Sequence, residues 1–185
     1  MISRRAFVAA GAAGAASLAL PAHAFTVDPV FRPQSVSIKR DLAPGQILVL
    51  PRAHFLYYVV GEGEARRYGV GVGKAGLEFT GTATIDVKKK WPTWRPTNEM
   101  IERDPQAYSK FIDNDYVQPG GPGNPLGARA LYLFQNGRDT YFRIHGTTAP
   151  RSIGRSVSNG CIRMLNEHVE DLYERVPLGT KVTVL

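Results

Sequence analysis

Leu131-Tyr132-Leu133-Phe134-Gln135-Asn136-Gly137-Arg138-Asp139-Thr140-Tyr141-Phe142-Arg143-Ile144-His145 decides the reading of this chain. Two runs of aromatic and branched residues flank Asn136-Gly137, a dipeptide suited to a tight hairpin turn because both positions tolerate positive φ. The reading is a hairpin whose second strand delivers His145 at its end. Working upstream, the same texture recurs. Gln46 to Leu50 and Phe55 to Val60 are short strand-like runs, Gly61 to Glu64 is a turn, and Arg66 to Val72 continues as a strand. Thr82 to Val87 alternates as another strand, and Lys181 to Leu185 closes the domain.

Helix signals are few. Asn166 is read as an N-cap, with Glu167 and Glu170 in the first turn, Val169, Leu172, Tyr173 and Val176 on one apolar face, and a stop at Pro177 and Gly179. A shorter helix is expected over Pro105 to Phe111. Two irregular stretches interrupt the strands: Trp91 to Thr97, with two indoles among prolines, and Pro119 to Gly127, nearly all turn formers. Structured loops on a β scaffold are where binding surfaces usually lie. The expected fold is therefore mainly β, a mixed, β-sandwich-like domain with one C-terminal-region helix and a lid or loop insertion.

The chain has 185 residues. Ser3-Arg4-Arg5-Ala6-Phe7, a bland Ala/Gly-rich run and Pro21-Ala22-His23-Ala24 read as a twin-arginine-type signal peptide over residues 1–24 with an A-x-A cleavage site. Its apolar stretch is shorter than the ~20 residues a membrane span needs, so no transmembrane segment is expected in the mature chain. Residues 25–43, with Pro29 and Pro33, read as an extended arm. Residues 44–185 read as one domain, large enough for a core of its own. Without Arg4 and Arg5 the 23 basic residues become 21 against 16 acidic, a net charge of +5 instead of +7. An exported basic protein fits an anionic, carboxylate-rich partner such as the cell wall, and nucleic acid is excluded by the compartment.

Cys161 is the only cysteine, so it makes no internal disulfide. It lies sixteen positions after His145, in Ser158-Asn159-Gly160-Cys161-Ile162-Arg163. If Tyr141 to Ile144 is a strand, the Gly-, Ser- and Thr-containing stretch beyond His145 can fold back and bring sulfur to imidazole. A histidine beside a thiol acts as base and then returns the proton to a leaving amine. Arg163 and Arg155 add positive potential that favours thiolate, and the amides of Gly160 and Cys161 are candidate oxyanion donors. No carboxylate lies between His145 and Cys161, so a backbone carbonyl, with Gly146 nearest, is the economical group to orient the ring. Gly71-x-Gly73-x-x-Gly76 matches a dinucleotide pattern by letters, but no helix signal follows it. His54 and His168 have no partners at metal-ligand spacing.

These segments resemble the L,D-transpeptidase (YkuD-like) family. His145-Gly146 and Ser158 to Arg163 look like its histidine and nucleophile-loop motifs. Tyr68 to Lys74 with Thr80-Gly81-Thr82 is similar to its strand and glycine turn, and Trp91 to Met100 and Gly120 to Gly127 look like its lid and substrate-side loops. The resemblance covers residues 44–185 and implies an L,D-transpeptidase catalytic domain. It implies Cys161 as nucleophile, His145 as base and the Gly146 carbonyl as orienting group. Ser158, Asn159, Gly160 and Arg163 are supporting residues, and Trp91, Trp94, Tyr132 and Arg155 are candidate substrate contacts. Asn159 departs from the usual motif histidine; it does not titrate and is read as loop-shaping. No cofactor or metal is implied. The partners are peptidoglycan stem peptides, with an outer-membrane protein or lipoprotein amine as a further acceptor. The implied activity is periplasmic: thioester formation with a tetrapeptide stem and transfer to an amine, in cell-wall biogenesis and cell shape. An L,D-carboxypeptidase, a ligase attaching outer-membrane proteins to the wall and a non-catalytic wall-binding module remain alternatives.

Overall fold

The computed structural model describes residues 25–185; the expected signal peptide lies outside the described residues. In chain order the strands are β1 (Gln34–Ser37), β2 (Ile47–Leu50), β3 (Phe55–Gly61), β4 (Glu64–Gly69), β5 (Val72–Gly73), β6 (Gly81–Lys90), β7 (Arg129–Gln135), β8 (Arg138–His145), β9 (Ser156–Ser158), β10 (Ile162–Arg163) and β11 (Thr180–Val184). The helices are α1 (Asn98–Arg103) and α2 (Asn166–Arg175). Nine strands form one sheet in the order β1-β4-β3-β2-β11-β6-β7-β8-β10, and β5 and β9 form a separate parallel pair. The sheet is mixed, because β11 runs parallel to β2 and β10 parallel to β8. The domain is mainly β, as its alternating strands indicate.

One core serves both halves of the sheet. Ile47, Val49 and Leu56 on one side, Leu131, Leu133 and Ile144 on the other, and Val169 and Leu172 of α2 belong to a single buried cluster. Helix α2 spans the two halves. The Tyr68 hydroxyl and the Arg66 guanidinium of β4 each donate to Asp171 at 2.7 Å, while Lys88 of β6 donates to the Tyr173 and Val176 carbonyls at 2.6 Å each. A lysine on the last carbonyls of a helix satisfies acceptors that have no partner inside it. Lys88 is thus a helix cap.

Several boundaries differ from expectation. The hairpin turn at Asn136-Gly137 has φ of 52° and 71°, the paired left-handed geometry that the dipeptide favours. The strand expected through Val72 stops at Gly69. Gly71 instead pairs with Arg163, its N–H donating to the Arg163 carbonyl at 2.9 Å and its carbonyl accepting from the Arg163 N–H at 2.7 Å. No helix covers Pro105 to Phe111: the helical turn falls earlier, at Asn98–Arg103, where the Thr97 hydroxyl accepts from the Met100 N–H, and only a 3-10 turn follows at Ser109–Phe111. In α2 the N-cap is Leu165, and Asn166 is the first helical residue.

The arm is not a detached tether. Gln34 to Ser37 pair antiparallel with Arg67 to Glu64, adding an edge strand to the sheet. Phe31 stacks on Phe55 with ring centroids 5.6 Å apart and covers two glycines: a Cβ at Gly69 or Gly154 would run into the Phe31 side chain. We expect Phe31→Ala to lower stability by about 2 kcal/mol, below the full cost of a core phenylalanine because the ring is half-buried. Gly154→Ala should also destabilise, since φ is +77° there. Urea unfolding midpoints of the two variants check both.

Candidate active site

Two residues of parallel pairing build the site. Ile162 lies opposite Ile144 and Arg163 opposite His145, joining β10 to β8. Side chains alternate along a strand, so Ile144 and Ile162 enter the core, at 0% and 4% exposure. Arg143, His145, Cys161 and Arg163 turn the other way and line one cavity of about 1040 Å³ together with Trp94, Tyr132, Ser158 and Asn159. His145 and Cys161 therefore share a face of the sheet.

The loop that carries Cys161 is pinned from within. The Ser158 hydroxyl donates to the Cys161 carbonyl at 2.6 Å and accepts from the Gly160 N–H at 3.1 Å. Gly160 has φ of +117°, and a Cβ there would strike the Phe142 ring and the Leu77 carbonyl, so glycine is required twice over. With its N–H held by Ser158, Gly160 is not a free oxyanion donor. The Cys161 N–H, by contrast, makes no hydrogen bond to the described residues. Asn159 does not shape its own loop; its amide reaches away, to the Tyr108 hydroxyl at 3.1 Å and to Arg103 at 3.3 Å. Ser158 does the shaping.

His145 is buried, and its Nδ1 lies 2.5 Å from the Gly146 carbonyl. A carbonyl only accepts, so Nδ1 carries the hydrogen and Nε2 is left as the basic nitrogen. The Gly146 loop is held in turn by Asn166, whose Oδ1 accepts from the Ala128 N–H at 3.1 Å and the Thr147 N–H at 3.2 Å. That role was missed in the sequence because an Asn at a helix start reads as a cap.

Burial acts against both charges of a thiolate–imidazolium pair. It pushes the His145 imidazole down to about 4, against the Gly146 carbonyl that favours the cation, with the positive charges of Arg163 and Arg143 adding to the downward push. It raises the Cys161 thiol, against the backbone N–H of Arg143 and the charges of Arg143 and Arg163 that favour thiolate. Both shifts favour the neutral forms. The sulfur lies 3.9 Å from the Tyr141 carbonyl. Tyr141 sits in a bulge of β8 at φ +61°, 71% exposed, with its N–H donating to Asp139 at 2.8 Å. A non-glycine residue in that region is strain held in place by its surroundings.

Arg143 supplies charge in a fixed position. Both Asp139 oxygens accept from its guanidinium, at 2.6 and 2.7 Å, and it lies 4.1 Å from the Tyr132 ring centroid. It was legible in principle, two residues before His145 on a strand of period two. Arg163 is half-buried, and its side chain makes no hydrogen bond or ion pair among the described residues. Two expected substrate contacts are not brought to the cavity. Trp91 turns off the end of β6 at φ +45° with its carbonyl against Gly120. Arg155 is exposed on the turn before β9, where its backbone alone is engaged: its N–H donates to the Ser152 carbonyl and its carbonyl accepts from the Val72 N–H.

Gly71-x-Gly73-x-x-Gly76 passes through β5 into a turn and then β6, so no helix N-terminus stands where a pyrophosphate would need one. Among the described residues no cluster of three His, Cys, Asp or Glu could hold a metal, and no helix is long and apolar enough to cross a membrane.

Residues 44–184 match the YkuD model, the L,D-transpeptidase catalytic domain. The Escherichia coli K12 protein named probable L,D-transpeptidase YbiS is 34% identical over 152 residues, covering 81% of this chain and 47% of that protein, so the chain spans about half the length of this relative. Among solved structures, a Brucella melitensis protein described as a probable carnitine operon oxidoreductase is 58% identical, with a TM-score of 0.58 over 86% of this chain and 96% of that one. L,D-transpeptidase 3 of Mycobacterium tuberculosis shares the fold at 16% identity, with a TM-score of 0.55 over 75% of this chain and 60% of that one. The match of the family model to most of the chain, with the relative at 34% identity, establishes that this chain belongs to the L,D-transpeptidase (YkuD) family.

Proposed function

We propose that the chain is an exported acyltransferase that remodels peptidoglycan through a thioester on Cys161. The observation that carries this is the common cavity of Cys161 and His145, with Nδ1 tied to the Gly146 carbonyl so that Nε2 is the basic nitrogen. In the first half-reaction Cys161 Sγ attacks the carbonyl of meso-diaminopimelate in a tetrapeptide stem, and the thiol proton passes to His145 Nε2. The Cys161 N–H faces the developing oxyanion. As the C–N bond breaks, the imidazolium returns the proton to the departing D-amino acid, and the thioester remains. An amine then attacks the thioester, His145 takes its proton, and the thiol leaves reprotonated.

A neutral starting pair suits this sequence, because charge develops only as the substrate fills the cavity and excludes water. Arg163, half-buried and uncommitted, fits a substrate carboxylate; Arg143, locked on Asp139, contributes field without moving. Tyr132 and Trp94 form apolar walls for the stem. The name of the Brucella protein points to redox chemistry, but no strand–turn–helix dinucleotide site supports that reading here. The acceptor amine belongs to a second stem, with an outer-membrane protein or lipoprotein as the other option, and the reaction takes place in the periplasm after twin-arginine export.

Incubating the mature protein with disaccharide tetrapeptide should yield a mass corresponding to loss of the terminal residue with transfer to an amine; release of tripeptide alone would identify a carboxypeptidase, and no product would remove the proposal. Cys161→Ser should reduce turnover by at least about 10³-fold, since nothing in the site lowers a hydroxyl pKa to match. Gly160→Ala should abolish activity while the core stays folded, read by mass spectrometry against circular dichroism.

The depressed His145 pKa also has a stability signature. The unfolded imidazole protonates near 6.5 and the folded one near 4, so the unfolded state binds the proton first as pH falls. The His145 contribution is complete above pH 6.5 and is lost between 6.5 and 4, by up to about 3 kcal/mol. His168, which burial also pushes down, acts with the same sign. Urea midpoints should therefore fall across that window in the wild type and fall less steeply in His145→Gln, which retains His168.

A further inference from the structure

Residues 95–117 form a roof over the cavity, placing Thr97, Asn98, Met100, Arg103 and Tyr108 along its wall. The roof is closed at its base by Trp94 and Gln118, whose backbones exchange two hydrogen bonds of 2.9 and 2.8 Å. It is tied to itself. Trp94 packs edge-on against Phe111, Phe111 stacks on Tyr116, and Arg95 donates to the carbonyls of Phe111 and Tyr116 at 2.9 and 2.8 Å. Among the described residues, only two hydrogen bonds join residues 95–117 to the rest of the chain, and both end on one side chain. Arg103 Nη1 donates to Asn159 Oδ1 at 3.3 Å, and Asn159 Nδ2 donates to the Tyr108 hydroxyl at 3.1 Å.

We propose that Asn159 is a positioning residue that latches the roof to the nucleophile loop and so sets how often the groove over Cys161 stands open. A primary amide offers an accepting oxygen and a donating NH2 in a fixed plane and keeps both across the physiological pH range. It meets a guanidinium that only donates and a phenol that accepts. The latch sits two residues from Cys161, so a roof that lifts must release the loop carrying the sulfur. The roof moves as a unit about Trp94 and Gln118 because its own aromatic cluster and Arg95 bonds stay intact. The latch rests on these contacts alone; its effect on turnover rests on the reading of Cys161 as nucleophile.

Hydrogen–deuterium exchange of the full mature chain tests this without any substrate. In Asn159→Ala the amides of residues 95–117 should exchange roughly tenfold faster, the change that two half-exposed hydrogen bonds support. Exchange in β2, β7 and α2 should be unchanged. Alkylation of Cys161 by a bulky maleimide should accelerate by a similar factor. Tyr108→Phe, which removes only a hydroxyl, should give a smaller increase and should add nothing in the Asn159→Ala background, as for two ends of one contact. Where turnover is measurable, Asn159→Ala should raise KM more than it lowers kcat. Unchanged exchange over 95–117 in Asn159→Ala, or fully additive effects of Asn159→Ala and Tyr108→Phe, would overturn the proposal. Inactivity of the wild type toward stem peptides with faster exchange in the variant would leave the latch standing and remove only the enzymatic reading.

Discussion

The parallel pairing of Ile162 and Arg163 with Ile144 and His145 is the contact on which the site depends. It is only two residues long, yet it fixes which way each neighbour points. Because side chains alternate along a strand, anchoring two isoleucines in the core commits His145, Cys161 and Arg163 to the opposite face. So short a strand would not hold by itself. Gly71 pairs with Arg163 from the other side, β9 pairs with β5, and Ser158 closes the loop on its own backbone. The glycine at position 71 is needed because a Cβ there would enter the Ser152 carbonyl.

Chemistry and packing are coupled at this point through burial. The setting that makes the site rigid also buries the imidazole and partly shields the thiol, and both then favour their neutral forms. Positive charge is supplied by guanidinium groups placed at the rim of the pair, one locked on Asp139 and one uncommitted. The strained Tyr141 bulge belongs to the same economy: it turns a backbone carbonyl toward the sulfur where a regular strand would direct it along the ladder.

The roof follows a different physical rule from the sheet. Its stability is local, from aromatic packing and arginine-to-carbonyl bonds, while among the described residues its hydrogen bonds to the Cys161 loop run through one amide. Asn159, standing where the family's usual motif has histidine, thereby acquires a role between elements and not within its own loop.

What the sequence determined by itself was the set of elements with strong local signals. The Asn136-Gly137 hairpin, the period-two strands and the apolar face of α2 each follow from backbone preferences that operate over a few residues, and the His145 and Cys161 motifs carry the family. It also supplied the candidate Gly146 carbonyl, because no carboxylate lay near. Tertiary structure decided the rest, because those choices depend on partners far along the chain. Asn166 serves the Gly146 loop and not its own helix, Lys88 caps α2 from another strand, and the arm completes the sheet. The Gly160 N–H is taken by Ser158, and Trp91 and Arg155 do not line the cavity. A side chain's hydrogen-bonding capacity is written in its identity, but which long-range acceptor or donor comes within 3 Å of it is set only when the whole sheet has closed over its core.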